Sequence, residues 1–80
     1  MERELIKQKV MEVIEDTTDI LREEMSEEDA LMDDLDVSSL EILTIIGEIE
    51  EVFDIKVDKK EMRDIVTIGD VIDHIYNTLN

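Results

Sequence analysis

The chemistry that this sequence can support centres on two adjacent serines, Ser38 and Ser39, and on a single histidine, His74. A serine nucleophile needs a neighbouring base, and the chain has no G-x-S-x-G motif to set a serine on a strained hydrolase turn. His74 falls in the last predicted helix, where we expect it at the surface or at the edge of the core. The absence of cysteine excludes disulfides, thiolate metal sites and a catalytic thiol. The sequence therefore does not predict an enzyme.

Three aspartates that precede the serines, Asp33, Asp34 and Asp36, raise the question of calcium binding. A calcium-binding EF-hand loop requires glycine at its sixth position and glutamate at its twelfth. A loop that starts at Asp34 has Ser39 and Ile45 at those two positions. We therefore reject an EF-hand and predict no metal site beyond loose cation binding by these aspartates.

The chain has 80 residues, which is enough for one small domain, residues 1–80. Its 24 acidic and 8 basic residues give a formal net charge of −16. Nucleic acids and anionic lipid surfaces would be repelled by this charge, so neither is a predicted partner. No apolar run approaches the roughly 20 residues of a membrane span. We expect a cytoplasmic monomer, because like charges oppose self-association.

Apolar residues spaced by three and four positions predict an amphipathic first helix over residues 2–16. These residues are Leu5, Ile6, Val10, Val13 and Ile14. Residues 17–37 form a polar connection, which at this length is expected to be functional or partly helical. Within it, Ser26 and Asp29 predict a short turn. High charge and few aromatic residues are typical of disordered chains, but the helical spacing of aliphatic residues favours a folded domain.

Ser38 and Glu41 have the spacing of a capping box, so they predict the start of a second helix. In this motif the serine hydroxyl accepts a hydrogen bond from the glutamate N–H, and the carboxylate accepts one from the serine N–H. The apolar surface that follows is broad, which predicts that the second helix is the central one in the bundle. Its residues are Ile42, Leu43, Ile45, Ile46, Ile49, Val52 and Phe53.

Two further capping patterns predict the remaining helices. Asp58 with Glu61 marks a short third helix, and Thr67 with Asp70 marks a fourth helix. The apolar positions of the fourth helix are Val71, Ile72, Ile75 and Leu79. Alternation typical of strands is scarce. The predicted fold class is therefore all-α, a small four-helix bundle of three long helices and one short helix.

Three segments of the chain resemble the signature of acyl carrier proteins. Residues 33–43, Asp-Asp-Leu-Asp-Val-Ser-Ser-Leu-Glu-Ile-Leu, are similar to the leucine-glycine-x-aspartate-serine-leucine segment that opens that family's second helix. Residues 49–57, Ile-Glu-Glu-Val-Phe-Asp-Ile-Lys-Val, resemble the glutamate-rich end of the same helix, and residues 66–72 resemble the start of the fourth. The resemblance covers most of the chain and implies the acyl carrier protein fold.

The resemblance implies that Ser39 matches the serine that receives 4′-phosphopantetheine from coenzyme A. The attached arm would supply the thiol that this chain lacks, and acyl intermediates of fatty acid, polyketide or related biosynthesis would be carried on it as thioesters. The implied partners are a phosphopantetheinyl transferase and acyl-transfer, chain-elongation or synthetase enzymes with basic docking patches. The residues expected to meet these partners are Ser38, Leu40, Glu41, Gly47, Glu48 and Glu51.

The chain departs from the family pattern at three positions. Ser38 stands where the family has aspartate before the modified serine, and this substitution bears on recognition by the transferase. Asp36 stands in place of a glycine and must adopt the backbone conformation of that loop. Gly47 lies inside the second helix, where the family commonly has a larger residue that faces partners, so it bears on which partners dock. Because Ser38 is the expected helix cap, Ser39 is the freer hydroxyl.

Charge alone leaves another function open. Thirteen acidic residues and no basic residue lie between Arg22 and Lys56. Such a surface suits a carrier that docks on basic enzymes, but it also suits an acidic interaction module without a prosthetic group. The first function requires the Ser39 hydroxyl and the second does not. If a cavity for the acyl chain exists, the candidates to line it are Ile42, Ile46, Ile49 and Val71.

Overall fold

The computed structural model describes residues 1–80 and contains four α-helices. Helix α1 spans Arg3–Thr18, α2 spans Ser39–Phe53, α3 spans Lys59–Arg63 and α4 spans Ile68–Leu79. A short 3-10 turn, Arg22–Glu24, lies in the connection between α1 and α2. The prediction of an all-α bundle with three long helices and one short helix is confirmed. None of the four helices combines the length and the hydropathy that a membrane span requires.

Helix α1, rather than α2, holds the central position, because it packs against both α2 and α4. The prediction of a central α2 was wrong in this respect. The broad apolar surface that suggested it is only partly buried, and Leu43 and Val52 face solvent. The core consists of aliphatic side chains together with Met11 and Phe53. Its largest fully buried side chains are Ile6, Val10, Ile14, Ile45, Ile49, Ile68, Ile72 and Ile75.

The long connection between α1 and α2 is fixed against the start of α4 by backbone hydrogen bonds. The Leu31 N–H donates to the Val66 carbonyl at 3.0 Å, and the Ile68 N–H donates to the Asp29 carbonyl at 3.1 Å. Leu31 and Val37 also insert their side chains into the core. These contacts order a segment that is mostly non-helical, and they hold the residues just before α2 in place.

An ion-pair cluster joins α1, the connection and α4. The Arg3 guanidinium contacts Glu27 Oε1 and Asp73 Oδ1, each at 2.8 Å, and Lys7 Nζ lies 3.4 Å from Glu27 Oε2. The hydrogen bond from Arg3 holds the pKa of Glu27 below its usual value. The bonded cluster therefore favours the ionised carboxylate and helps to attach the connection to the helices on either side.

His74 lies at the edge of the core, as the sequence predicts, and it contacts α3. Its Nε2 atom is 2.7 Å from Glu61 Oε2, although the ring N–H is not aligned for a hydrogen bond. Glu61 also donates its backbone N–H to the side chain of Asp58, the predicted cap of α3, at 2.8 Å. His74 therefore sits beside the short third helix, with no serine hydroxyl hydrogen-bonded to it.

Candidate functional site on the second helix

The start of α2 is built by the capping box that the sequence predicts. The Glu41 N–H donates to Ser38 Oγ at 3.2 Å, and the Ser38 N–H donates to Glu41 Oε1 at 2.9 Å. Val37, the residue before the cap, is buried in the core and fixes the direction in which the chain enters the helix. The box thus uses the side chains of both Ser38 and Glu41 for helix structure.

Ser39 is the first residue of α2, and its surroundings differ from those of Ser38. Its side chain is exposed and makes no hydrogen bond within the protein. The N–H groups of the first helical turn have no preceding carbonyl to bond, and the positive end of the helix dipole lies at the same place. The structure therefore presents a free hydroxyl at a position that favours an attached anion.

The loop before α2 contains the strained residue that the sequence indicates. Asp36 has a φ angle of 57°, in the left-handed region where glycine is favoured. Aspartate tolerates this conformation better than most residues because its short polar side chain bonds locally. Asp34, two residues earlier, accepts a hydrogen bond from the Ala30 N–H at 2.7 Å and so stabilises a turn. Asp36 therefore adopts the left-handed conformation expected of glycine at this position, and the turn of the loop is kept.

The residues predicted to meet partners divide into two groups. Ser38 and Glu41 belong to the capping box, whereas Leu40, Gly47, Glu48 and Glu51 are exposed along α2. Leu40 is 77% exposed, which is unusual for a large apolar side chain next to a helix start. The opposite side of the helix is buried through Ile45, Ile46, Ile49 and Phe53. One face of α2 therefore packs on α1, and the other is left for contacts outside the chain.

Sequence reasoning missed that two apolar residues of α2 are exposed. Leu43 is 55% exposed and Val52 is 48% exposed, although both were assigned to the bundle interior. Leu43 lies three residues after Leu40 and four before Gly47, so these three residues share a side of the helix. The three-residue spacing between Leu43 and Leu40, which follows Ser39, was the sequence signal that could have placed Leu43 on the exposed side. We call Leu40, Leu43, Thr44, Gly47, Glu48 and Glu51 the α2 face.

The carboxylates of α2 have no cationic partner within the chain. None of Glu41, Glu48, Glu50 and Glu51 takes part in an ion pair, whereas Glu15, Glu27 and Asp73 elsewhere do. Such an acidic surface attracts basic surfaces over a distance and speeds their encounter. The cations that would neutralise it must come from another molecule.

A small apolar cavity of about 150 Å³ opens close to the start of α2. It is lined by Ala30, Leu31, Met32, Asp33, Ile42, Ile65 and Val66. Of the four residues predicted to line a cavity, only Ile42 does so. Ile49 and Val71 are buried instead in the core cluster, and Ile46 is buried outside that cluster. The sequence did not identify Ile65 and Val66, since they approach from the segment after α3.

The model of the protein family described as "Phosphopantetheine attachment site" matches residues 8–75 of the chain. The chain belongs to this family. It is 33% identical to the acyl carrier protein of Coprothermobacter proteolyticus over 79 residues, which are 99% of this chain and 96% of that protein. It is 32% identical to the acyl carrier protein of Thermotoga maritima over 77 residues, 96% of this chain and 95% of that one.

The fold of the carrier matches a solved acyl carrier protein structure as well. The structure of the acyl carrier protein from Enterococcus faecalis superposes with a TM-score of 0.77 at 28% identity, over 94% of this chain and 95% of that one. The chain is thus a carrier of acyl intermediates, with 4′-phosphopantetheine as its prosthetic group. This function is favoured over an acidic interaction module without a prosthetic group.

Proposed function

We propose that Ser39 carries the 4′-phosphopantetheine arm and that the carrier presents its acyl group to enzymes docked on the α2 face. The observation that carries this proposal is the difference between the two serine hydroxyls. Ser38 Oγ is occupied by the Glu41 N–H, while Ser39 Oγ is exposed and unbonded. Only Ser39 can therefore react without loss of the helix cap.

The residues around Ser39 fit a phosphodiester. The group would lie beside N–H donors of the first turn of α2 that have no preceding carbonyl to bond, at the positive end of the helix dipole. In the loading reaction the Ser39 oxygen forms the phosphodiester, and the hydroxyl proton and the adenosine 3′,5′-bisphosphate portion of coenzyme A leave. The arm supplies the thiol that holds the acyl group.

Docking would use the exposed half of α2. Leu40 and Leu43 offer apolar contacts beside Ser39, and Glu48 and Glu51 offer negative charge further along the helix. An apolar centre with a charged rim is the usual composition of a specific transient interface. The partners are a phosphopantetheinyl transferase and the acyl-transfer, chain-elongation or synthetase enzymes of the pathway, each with basic residues around an apolar contact.

In this proposal the protein is not itself an enzyme, since the chemistry belongs to the enzymes that visit the arm. The Nε2 atom of His74, the single histidine, lies 2.7 Å from Glu61 Oε2 beside α3. The proposal places the carrier in the cytoplasm, where coenzyme A and the enzymes of acyl assembly are available. It acts there as a monomer, because its charge of −16 opposes association of two copies.

The cavity next to Ile42 is a place for the first part of the acyl chain. Its volume is about 150 Å³ and its lining is apolar except for Asp33. A dry apolar cavity of about this size in another protein accommodates a benzene molecule. We expect a chain of about six carbons to fill it without rearrangement.

The proposed attachment point can be tested by intact mass spectrometry. The protein is incubated with coenzyme A, Mg²⁺ and a broad-specificity phosphopantetheinyl transferase. We expect the mass of the wild type and of Ser38→Ala to rise by one phosphopantetheine, and the mass of Ser39→Ala to stay constant. A gain that survives in Ser39→Ala but not in Ser38→Ala would move the attachment point to Ser38. No gain in any folded form would refute the carrier assignment.

A further inference from the structure

Half of the basic residues of the chain lie in one short stretch that includes α3. Of the eight lysines and arginines, four fall within residues 56–63. The same stretch holds two acidic residues, so its formal charge is +2 in a chain whose total charge is −16. We call the four basic residues the α3 cluster: Lys56, Lys59, Lys60 and Arg63. The surface of the carrier is therefore not acidic throughout.

The side chains of the α3 cluster are exposed, and none of them forms an ion pair within the chain. The two carboxylates of the same stretch have other contacts, because Asp58 accepts a hydrogen bond from the Glu61 N–H and Glu61 faces His74. Three of the other four basic residues do contact carboxylates, namely Arg3, Lys7 and Arg22. The four cations of the cluster thus stay unpaired in a chain with 24 acidic residues.

The α3 cluster does not stabilise the helix that holds it. Helix α3, Lys59–Arg63, buries none of its residues. Lys59 and Arg63 are four positions apart, so their positive charges stand on the same side of the helix, and like charges at this spacing are destabilising. Residues that break a local rule without a structural gain are expected at functional sites. The reason for the cluster is therefore to be sought in what contacts α3 from outside.

The stretch that holds the cluster runs alongside α2. Glu50 Oε2, near the end of α2, accepts a hydrogen bond from the Val57 N–H at 2.8 Å. Ile65, which follows α3, lines the same cavity as Ile42 at the start of α2. Glu50 follows Leu43 by seven residues, or two helical turns, so it stands on the same side of α2 as this member of the α2 face. The α3 cluster therefore borders the α2 face.

A partner of ordinary size that covers the α2 face also covers α3. A protein interface of standard size buries about 800 Å² on each partner. The carrier measures only 29 × 25 × 20 Å, so an interface of that area takes up most of one side of the molecule. An enzyme docked on α2 therefore meets an acidic helix with a basic stretch beside it.

The two charges together indicate the chemistry of the complementary surface. An enzyme with basic residues alone would be attracted by Glu48 and Glu51 but repelled by the α3 cluster. A surface that is complementary to both has basic residues over α2 and carboxylates beside them over α3. Such a pair of patches also fixes the orientation of the docked carrier, since a rotated complex would place like charges opposite each other.

We propose that the α3 cluster binds a patch of aspartate and glutamate side chains on the enzymes that dock on the α2 face. The cluster thereby selects these enzymes over those whose docking surface is basic throughout. The proposal rests on docking at the α2 face and adds to it a second contact of opposite charge. It makes Lys59, Lys60 and Arg63 residues that determine the choice of partner and have no part in the chemistry of the arm.

The first test compares two double variants that change the total charge equally. Lys59→Gln with Arg63→Gln removes two charges from the cluster, and the control, Gln8→Glu with Asn80→Asp, adds two negative charges at exposed positions on α1 and at the end of the chain. Circular dichroism first establishes that both are folded. The enzyme is a chain-elongation enzyme of the carrier's own organism that accepts the loaded wild-type carrier.

The direction of the change in KM distinguishes the proposal from general electrostatic attraction. Both variants are more negative than the wild type by two charges, so attraction to a basic enzyme would lower the KM for both. We expect the cluster variant instead to raise the KM for the carrier about fivefold at low salt, because it loses contacts with carboxylates, and the control not to raise it. The rise should shrink as salt is added.

The second test identifies the contact itself by chemical cross-linking. A carbodiimide joins a lysine amine to a carboxylate that touches it, and mass spectrometry of the digested complex locates the link. We expect links from Lys59 or Lys60 to aspartate or glutamate residues of the same elongation enzyme. Lys9, which lies on α1, is the internal control and should form no link to the enzyme.

The outcomes separate this proposal from the docking on which it rests. An unchanged or lower KM for the cluster variant, an equal rise for the control, or no link from Lys59 and Lys60 would refute it. If the only links join carboxylates of α2 to lysines of the enzyme, docking on the α2 face stands and the contact with α3 is refuted. If neither helix is linked to an enzyme that turns over the carrier, both fail. A folded wild type that cannot be loaded with the arm would contradict the attachment at Ser39, and the proposal would fail with it.

Discussion

Helices α2 and α4 begin with the same capping motif but use it for different ends. In α4 the Thr67 and Asp70 box lies against the connection, and Asp70 Oδ2 accepts hydrogen bonds from the N–H groups of both Val66 and Thr67 at 3.0 Å. Four apolar residues of this helix, Ile68, Val71, Ile72 and Ile75, are buried, whereas Leu79 at its end is exposed. In α2 the box of Ser38 and Glu41 is solvent-exposed, and Leu40 beside it is exposed as well.

The difference shows how one local motif can serve either stability or function. In α4 the cap fixes a helix whose apolar face completes the core. In α2 the cap takes up the hydroxyl of Ser38 and leaves that of Ser39 free, and the helix has apolar residues on both sides. The outward side adds nothing to the core. In the function proposed above, this exposed apolar surface is used for contacts with enzymes, and exposed apolar patches often mark such interaction sites.

The largest expected contrast is between one buried residue of α4 and one exposed residue of α2. Ile72 is fully buried, so Ile72→Ala should destabilise the protein by about 2–5 kcal/mol through lost burial and a cavity. Leu43 is exposed, so Leu43→Ala should change stability by about 0.5 kcal/mol or less. Chemical denaturation monitored by circular dichroism measures both values.

The same two variants are also compared by the rate at which a phosphopantetheinyl transferase loads them. At a temperature where both variants are folded, Leu43→Ala should load more slowly and Ile72→Ala at the wild-type rate. If Leu43→Ala were strongly destabilised and loaded normally, Leu43 would belong to the core and not to the α2 face. The distinction drawn between the two helices would then be wrong.

The acidic side of α2 gives the next largest effect. We expect the double variant Glu48→Lys and Glu51→Lys to lower kcat/KM for loading about tenfold at low salt, because it replaces attraction to a basic partner by repulsion. The effect should shrink as salt is added. The matched control is Glu23→Lys with Glu24→Lys, which makes the same change of charge in the 3-10 turn. Equal effects of the two pairs would show that only the total charge matters.

Local signals in the sequence were sufficient to predict the helices, whereas the choice of Ser39 came from the family resemblance. Capping boxes depend on residues three positions apart, so Ser38 with Glu41 and Thr67 with Asp70 could be recognised without tertiary information. The spacing of apolar residues placed the first helix over residues 2–16, against the observed Arg3–Thr18. The resemblance to acyl carrier proteins then selected Ser39, which the cap geometry of Ser38 supports.

The arrangement of the helices depended on contacts that no local pattern contains. An apolar residue on α2 can face α1 or a partner enzyme, and composition does not distinguish the two, which is why Leu43 and Val52 were assigned to the interior. The cavity was missed for a similar reason. It forms where Ile42 meets Ile65 and Val66, which are more than 20 residues away in sequence. Only the fold brings them together.

The two capping residues themselves give a smaller contrast. Thr67→Ala should destabilise the protein by about 1–2 kcal/mol, and Ser38→Ala by about 0.5–1 kcal/mol, which is the range for loss of a cap. The larger value is expected for Thr67 because its box is half-buried and adjoins the bonds between Ile68 and Asp29. Equilibrium unfolding in urea measures the two changes. A greater loss of unfolding free energy for Ser38→Ala would show that the start of α2 contributes more to stability than the start of α4.

The smallest expected effect is a pH dependence of the α4 box. Hydrogen bonds from the N–H groups of Thr67 and Val66 hold the pKa of Asp70 below its ordinary value. A carboxyl group with a lowered pKa in the folded state stabilises the protein above its ordinary pKa, and this contribution is lost as the pH falls through the lowered value. We therefore expect the Tm of the wild type to fall more steeply below about pH 4 than that of Asp70→Asn, in which the group cannot titrate.

Asp64→Asn, which removes an exposed carboxylate in the same region, is the control and should follow the wild type. Parallel curves for all three proteins would mean that the Asp70 carboxylate contributes no more to α4 than an exposed acid does, and that the two capping boxes differ in burial alone.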